Sequence, residues 1–163
     1  MITRELSIAE IFSLDTIKKK LDKAHNVGHN SSIIVSAPLV SQDQFLNYVV
    51  NHNSNDFIDK LPKIGIPIKA SSYLICFEMV GSEMVFQKQG LHNGDLLIGK
   101  LVPQTDLKEM IGQVLCLVTN SGISTKRLDS VNPRYLKLKS DDPNYPIEDL
   151  LSENIIQIWQ VLG

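Results

Sequence analysis

Phe77-Glu78-Met79-Val80-Gly81-Ser82-Glu83-Met84, followed after a short polar gap by Asn93-Gly94-Asp95-Leu96-Leu97-Ile98-Gly99, decides the fold. An extended apolar segment over residues 73–80 runs into a glycine, and the tight Asn93-Gly94 turn launches a second strand. The same alternation continues to the C-terminus: residues 73–80, 96–102, 114–119, 123–129, 135–139 and 155–162 read as strands. Asn120-Ser121-Gly122 closes a hairpin between the third and fourth of these, and residues 106–110 suit a single helical turn. The pattern predicts a mostly β domain.

Toward the N-terminus, residues 33–40 form a β-branched run interrupted by Pro38, which predicts an edge or terminal strand. Residues 56–62 suit a short amphipathic helix or turn, and Ile64-Gly65-Ile66-Pro67 leads into the core. The first residues differ in character. Ser7-Ile8-Ala9-Glu10 is a capping-box pattern, and Ile8, Ile11, Phe12, Ile17 and Leu21 recur near helical spacing. Ser13 or Asp15 can cap a second short helix through Lys18-Lys19-Lys20-Leu21. Residues 25–32 are polar, contain glycine and lack periodicity, as a linker does. The expected organisation is a short helical appendage and linker over 1–32 and one domain over 33–163.

At 163 residues with 43% hydrophobic and 21% charged residues, the chain can bury a substantial core. Its apolar runs are strand-sized, too short for a membrane span, and no apolar signal core marks it for export. A cytoplasmic protein is expected. Cys76 and Cys116 sit inside apolar strand-like segments and read as reduced core thiols. His25 and His29 have no neighbouring cysteine or acid to complete a metal site, so neither metal nor cofactor is expected. A net charge of -2 argues against strong nucleic-acid binding and leaves only a small basic face, with Lys18, Lys19, Lys20 and Lys23, for weak DNA contact.

Several spaced motifs share an order. Gly81-Ser82-Glu83-Met84 is followed by the Gly94-Asp95 turn, then Ser124-Thr125-Lys126-Arg127-Leu128, then Leu138-Lys139-Ser140-Asp141-Asp142-Pro143-Asn144-Tyr145-Pro146, and finally Ile155-Ile156-Gln157-Ile158-Trp159-Gln160-Val161. Across roughly residues 33–163 this resembles the LexA-like self-cleaving peptidases, which include LexA, the UmuD proteins and phage repressors of the lambda type. The resemblance implies a curved, partly open β-barrel of the LexA-like (signal-peptidase-like) type. It implies that Lys126 stands at the position of the catalytic base. Glu83 stands where the family has its serine nucleophile, and Ser82 where the family has its acid or amide. Aligning Phe45 on the family's aromatic residue puts Asp43 and Gln44 at the two sides of the scissile bond, where self-cleaving members carry Ala-Gly. No Ala-Gly or Cys-Gly pair occurs between Ser31 and Pro62.

A serine–lysine dyad needs a hydroxyl and a neutral lysine to take its proton, so the lysine must be pulled down in pKa by burial. A carboxylate at position 83 reverses that logic, because it favours the charged lysine and supplies no alkoxide. The expectation is a pseudo-peptidase in which Glu83 and Lys126 form an ion pair. One alternative is an active dyad of Ser82 with Lys126, reached through a local bulge. The plainer reading makes Glu83 an ordinary loop acid and Lys126 a solvated strand lysine. Residues 155–162 form a dense apolar segment that would be a hazard as an uncovered edge, so Ile156, Ile158, Trp159 and Val161 are expected at a homodimer interface. Burial of Trp159 inside its own monomer is the competing reading. The expected function is a non-cleaving, dimerising module in transcriptional regulation, either truncated of its DNA-binding domain or acting through a partner chain that has one. A small stand-alone DNA-binding regulator is a further alternative.

Overall fold

The computed structural model describes residues 33–68 and 73–162. The appendage expected over 1–32, with its lysine run, lies outside the described residues.

Strand β1 (Ile33–Val40) leads through a 3-10 turn (Gln42–Gln44) into helix α1 (Phe45–Asn51), and helix α2 (Asn55–Lys60) follows. The Ser54 side chain accepts from the Phe57 amide and caps α2. Strands β2 (Lys63–Ile68) and β3 (Leu74–Glu78) precede a two-stranded hairpin, β4 (Val85–Phe86) and β5 (Gln89–Gly90). Then come β6 (Leu96–Leu101), a 3-10 segment (Gln104–Met110), β7 (Val114–Thr119), β8 (Gly122–Val131), β9 (Tyr135–Lys139), β10 (Glu148–Leu151) and β11 (Ile155–Val161). Nine strands form one open sheet in the order β10-β9-β8-β7-β11-β6-β3-β1-β2. The β1–β3 pair is parallel and the others antiparallel. Mostly β is the observed class, with a few helices.

Alternation along the strands divides the core between two faces. Cys116, Val118 and Trp159 point to the face covered by α1 and α2, where Tyr48, Ile58, Ile75 and Phe77 complete a cluster. Leu115, Leu117, Leu128, Leu136, Leu138 and Ile158 point to the other, packed beneath Leu107, Met110 and Leu150. A bulge in β11, between the pairs Ile155–Thr119 and Gln157–Val118, breaks the alternation. Its effect is to turn Gln157 toward the helices, where Oε1 accepts from the Tyr48 hydroxyl at 2.7 Å and from Trp159 Nε1 at 3.3 Å. Both aromatic donors are buried and would be costly unpaired.

The two stretches that open the sequence meet in space. The Met79 amide donates to the Asp95 carbonyl at 2.8 Å, the Gly94 amide to the Met79 carbonyl at 2.7 Å, and the Gly81 amide to Asn93 Oδ1 at 2.9 Å. Gly94, at φ 89°, makes the turn that brings the second stretch back alongside the first.

Three expectations are corrected. Residues 33–40 are not an edge, because β2 pairs along the outer side of β1 and is itself the edge. Strand β10 and the β4–β5 hairpin were not expected; both are too short to show a period in the sequence. Residues 155–162 are not an uncovered edge either. Strand β11 lies between β7 and β6, bonded to both, with Ile158 2% and Trp159 0% exposed. Ile156 and Val161 pack, half-buried, against the cluster that holds Trp159. The edges of this sheet are β10 and β2, and they carry Glu148, Asp149, Lys63 and Pro67, residue types that discourage strand addition. No helix among the described residues is long and apolar enough to cross a membrane.

Ile158→Lys is therefore expected to unfold the domain instead of separating two copies. An unpaired ammonium in the second apolar cluster should cost several kcal/mol. Urea denaturation should show the loss at protein concentrations too low for any dimer, and a folded, stable monomeric variant would refute the placement of β11.

Candidate functional site

The site is built around Lys126 on β8. Its neighbours Thr125 and Arg127 pair with Cys116 and Val114 on the helix-covered face, so Lys126, opposite Leu115, points to the other face beside the Leu115–Leu128 cluster. Its side chain is 4% exposed. An ammonium cannot sit there unpaired. It donates to Glu83 Oε2 at 2.7 Å, to Glu148 Oε1 at 2.9 Å and to Ser140 Oγ at 3.1 Å. An ammonium has three hydrogens, and each has an acceptor.

Each acceptor arrives from a different element. Strand β9 runs antiparallel to β8 with Arg127 opposite Lys139, so the next residue, Ser140, falls opposite Lys126. Glu148 opens β10 and pairs with Leu138, which pairs with Leu128, so this cross-strand row puts Glu148 on the face that bears Lys126. Glu83 comes from the turn after β3. Gly81, at φ 92°, bends the chain where a side chain would be strained, and buried Met84 anchors the far end against Met79 and Leu97. The Asp142 amide donates to the Glu83 carbonyl at 3.0 Å, which ties this turn to the loop after β9. Behind it, Arg127 grips Asp141 with two bonds, Nε to Oδ1 at 2.7 Å and Nη2 to Oδ2 at 2.8 Å, and donates to the Gly112 carbonyl at 2.6 Å.

The electrostatics follow from this geometry. Burial alone pulls the Lys126 pKa down, but the hydrogen bonds and charges of Glu83 and Glu148 outweigh it and leave the group above the ordinary lysine value. Such a lysine holds its proton. Glu83 is 23% exposed and Glu148 52%, so the second carboxylate reaches the ammonium from solvent and its attraction is partly screened.

Glu83 and Lys126 are thus brought together, and Ser82 goes elsewhere. Ser82 is exposed, with its hydroxyl 3.3 Å from that of Tyr145, and no hydrogen bond joins it to Lys126. Asp43 and Gln44 occupy a helical turn in place of an extended segment. Their side-chain bonds are with Ser41, Asn47 and one another, and none reaches Glu83 or Lys126. The Ser41 and Gln44 bonds hold the Asp43 carboxyl below the usual value. Ile158 and Trp159 belong to the chain's own core. Two members of the site escaped the sequence reading. Ser140 lies within a motif already singled out, and a strand ending directly opposite a lysine was the available signal. Glu148 gave none, because only the β10–β9 register carries it to Lys126.

No family model matches the chain, and no curated protein matches it.

The raised Lys126 pKa has a definite sign. Its ion pairs contribute stability that is complete below the ordinary lysine pKa of about 10.4 and is lost as pH rises through the folded value. Glu83→Gln with Glu148→Gln leaves burial as the remaining influence, which lowers the folded pKa. The slope then inverts, and the variant should gain stability relative to wild type as pH rises through the range just below the ordinary lysine pKa of about 10.4. Urea midpoints across that range test this; parallel wild-type and variant curves would show that the two carboxylates do not hold the proton.

Proposed function

We propose that this chain is a non-cleaving relative of the LexA-like peptidases, with their curved, partly open barrel as its architecture, and that it serves as a pairing module in transcriptional regulation. The observation that carries this reading is Glu83 at 2.7 Å from Lys126, in the place the resemblance gives to a nucleophilic hydroxyl. A neutral lysine beside a serine is the working state of such a dyad. Here the lysine has two carboxylates and a hydroxyl on its three hydrogens. The helical turn at Asp43 and Gln44 also supports the reading, since a scissile bond must be presented extended and this pair is bulky and charged. In this reading the chain acts as a homodimer with a DNA-binding partner chain, or touches DNA weakly through Lys18, Lys19 and Lys20. Its pairing surface lies away from the two-sided strand β11. Light scattering should find a dimer at micromolar concentration.

Wild type should stay intact at any pH where it remains folded, as mass spectrometry would record. Glu83→Ser alone should be inert, because Glu148 still holds the Lys126 proton and Asp43-Gln44 is a poor substrate. Adding Glu148→Gln, Asp43→Ala and Gln44→Gly should allow slow cleavage between positions 43 and 44. Its rate should rise about tenfold per pH unit while the lysine remains mostly protonated. Self-cleavage by wild type would overturn the proposal; an inert fourfold variant that keeps its fold would count against peptidase ancestry.

A further inference from the structure

The Asn93-Gly94 turn carries a reaction of its own. Asparagine followed by glycine is the pair in which a backbone amide most readily attacks the side-chain amide before it, because glycine puts no Cβ in the way. Both residues are exposed to water. Hydroxide removes the Gly94 amide proton, the nitrogen bonds to Asn93 Cγ, and the Cγ–Nδ2 bond breaks to release ammonia, which takes its last proton from water. Water then opens the succinimide. Attack at Cγ leaves aspartate. Attack at the Asn93 backbone carbonyl carbon leaves isoaspartate, in which the main chain runs through Cγ, is one methylene longer and carries its carboxylate on Cα.

The fold sets two locks on this reaction. The Gly94 amide donates to the Met79 carbonyl at 2.7 Å, so the proton that must leave is held by a group that is not a base. Asn93 Oδ1 accepts from the Gly81 amide at 2.9 Å, which fastens the carboxamide to the chain leaving β3. Around them the Asp95 amide closes the turn on the His92 carbonyl at 3.0 Å, with Gly94 in the third position at φ 89°, and the Met79 amide donates to the Asp95 carbonyl at 2.8 Å. The same bonds bear on Lys126. Gly81 bends the chain at φ 92°, and Glu83, two residues on, holds its carboxylate 2.7 Å from the Lys126 ammonium.

We propose that Asn93-Gly94 is a one-way deamidation site, closed while the turn is formed, whose isoaspartyl product loosens Glu83 from Lys126. A main chain lengthened between His92 and Asp95 cannot keep both the Gly94–Met79 and the Met79–Asp95 bonds in register, and the acceptor for the Gly81 amide moves off with Cα. Plain aspartate at position 93 keeps the chain length and an oxygen for that amide, so only isoaspartate acts. Each opening of the turn risks a permanent change, and the site records how often the chain has opened.

Incubating the full chain at mildly alkaline pH, folded or unfolded in urea, tests the locks. Peptide mapping by mass spectrometry counts amide-to-acid conversion and separates isoaspartate from aspartate. Conversion at Asn93 should be at least about tenfold slower in the folded chain. Asn93→Gln should abolish it in the unfolded chain, because the imide ring would be larger. Chains converted in urea, refolded and separated by chromatography test the consequence. The isoaspartyl chain should have a lower urea midpoint than wild type, while Asn93→Asp should stay near it. The drop should shrink in a Glu83→Gln background, where the contact being loosened is already weakened; a merely strained turn would cost the same in both. Asn93→Ala, which removes only the acceptor for Gly81, should likewise combine less than additively with Glu83→Gln, and it reports even if the isoaspartyl chain does not refold. Equal rates in folded and unfolded chains, an isoaspartyl chain as stable as wild type, or penalties that simply add to that of Glu83→Gln would overturn the proposal.

Discussion

A single buried ammonium organises one half of this molecule. Lys126 projects from the middle of β8 toward an apolar cluster, and the protein meets the cost of burying it by drawing in Glu83, Ser140 and Glu148 from three otherwise separate pieces of chain. The turn after β3, the end of β9 and the start of β10 are thereby fastened at one point. Arg127, on the next residue and the opposite face, adds a second fastening through Asp141 and the Gly112 carbonyl. Two adjacent cations on one inner strand thus fix the turn after β3, the segment from Ser140 to Glu148 and the turn before β7.

The other half depends on β11. Flanked by β7 and β6, it donates Trp159 to one cluster and Ile158 to the other, and its bulge places Gln157 where two buried aromatic donors require an acceptor. A strand in this position is shielded from aggregation by its neighbours, so its apolar sequence needs no partner chain to cover it. The exposed edges, β10 and β2, carry charge or proline instead.

The chemistry available at Lys126 is set by proton affinity. Burial alone would prepare a lysine to act as a base, and a lone serine beside it would complete a dyad. With two carboxylates on the ammonium the balance turns the other way, and the constellation is suited to holding a structure together. Ser82, one residue from Glu83, turns outward to Tyr145.

Period and turn chemistry are local properties, and they determined the longer strands between residue 74 and residue 161, the Asn93-Gly94 and Asn120-Ser121 turns, and a short helical segment where α2 lies, but not β4, β5 or β10. The motif order also paired Glu83 with Lys126 across 43 positions. Sequence could not reveal that β11 is central, since an apolar strand looks alike at an edge and in the middle and only the strand order distinguishes them. Nor could it place Glu148, whose surroundings of Pro146, Ile147 and Asp149 read as an exposed loop until the β10–β9 register moves its carboxylate onto Lys126. That contact depends on three strands lying side by side, and cross-strand neighbours belong to the tertiary structure alone.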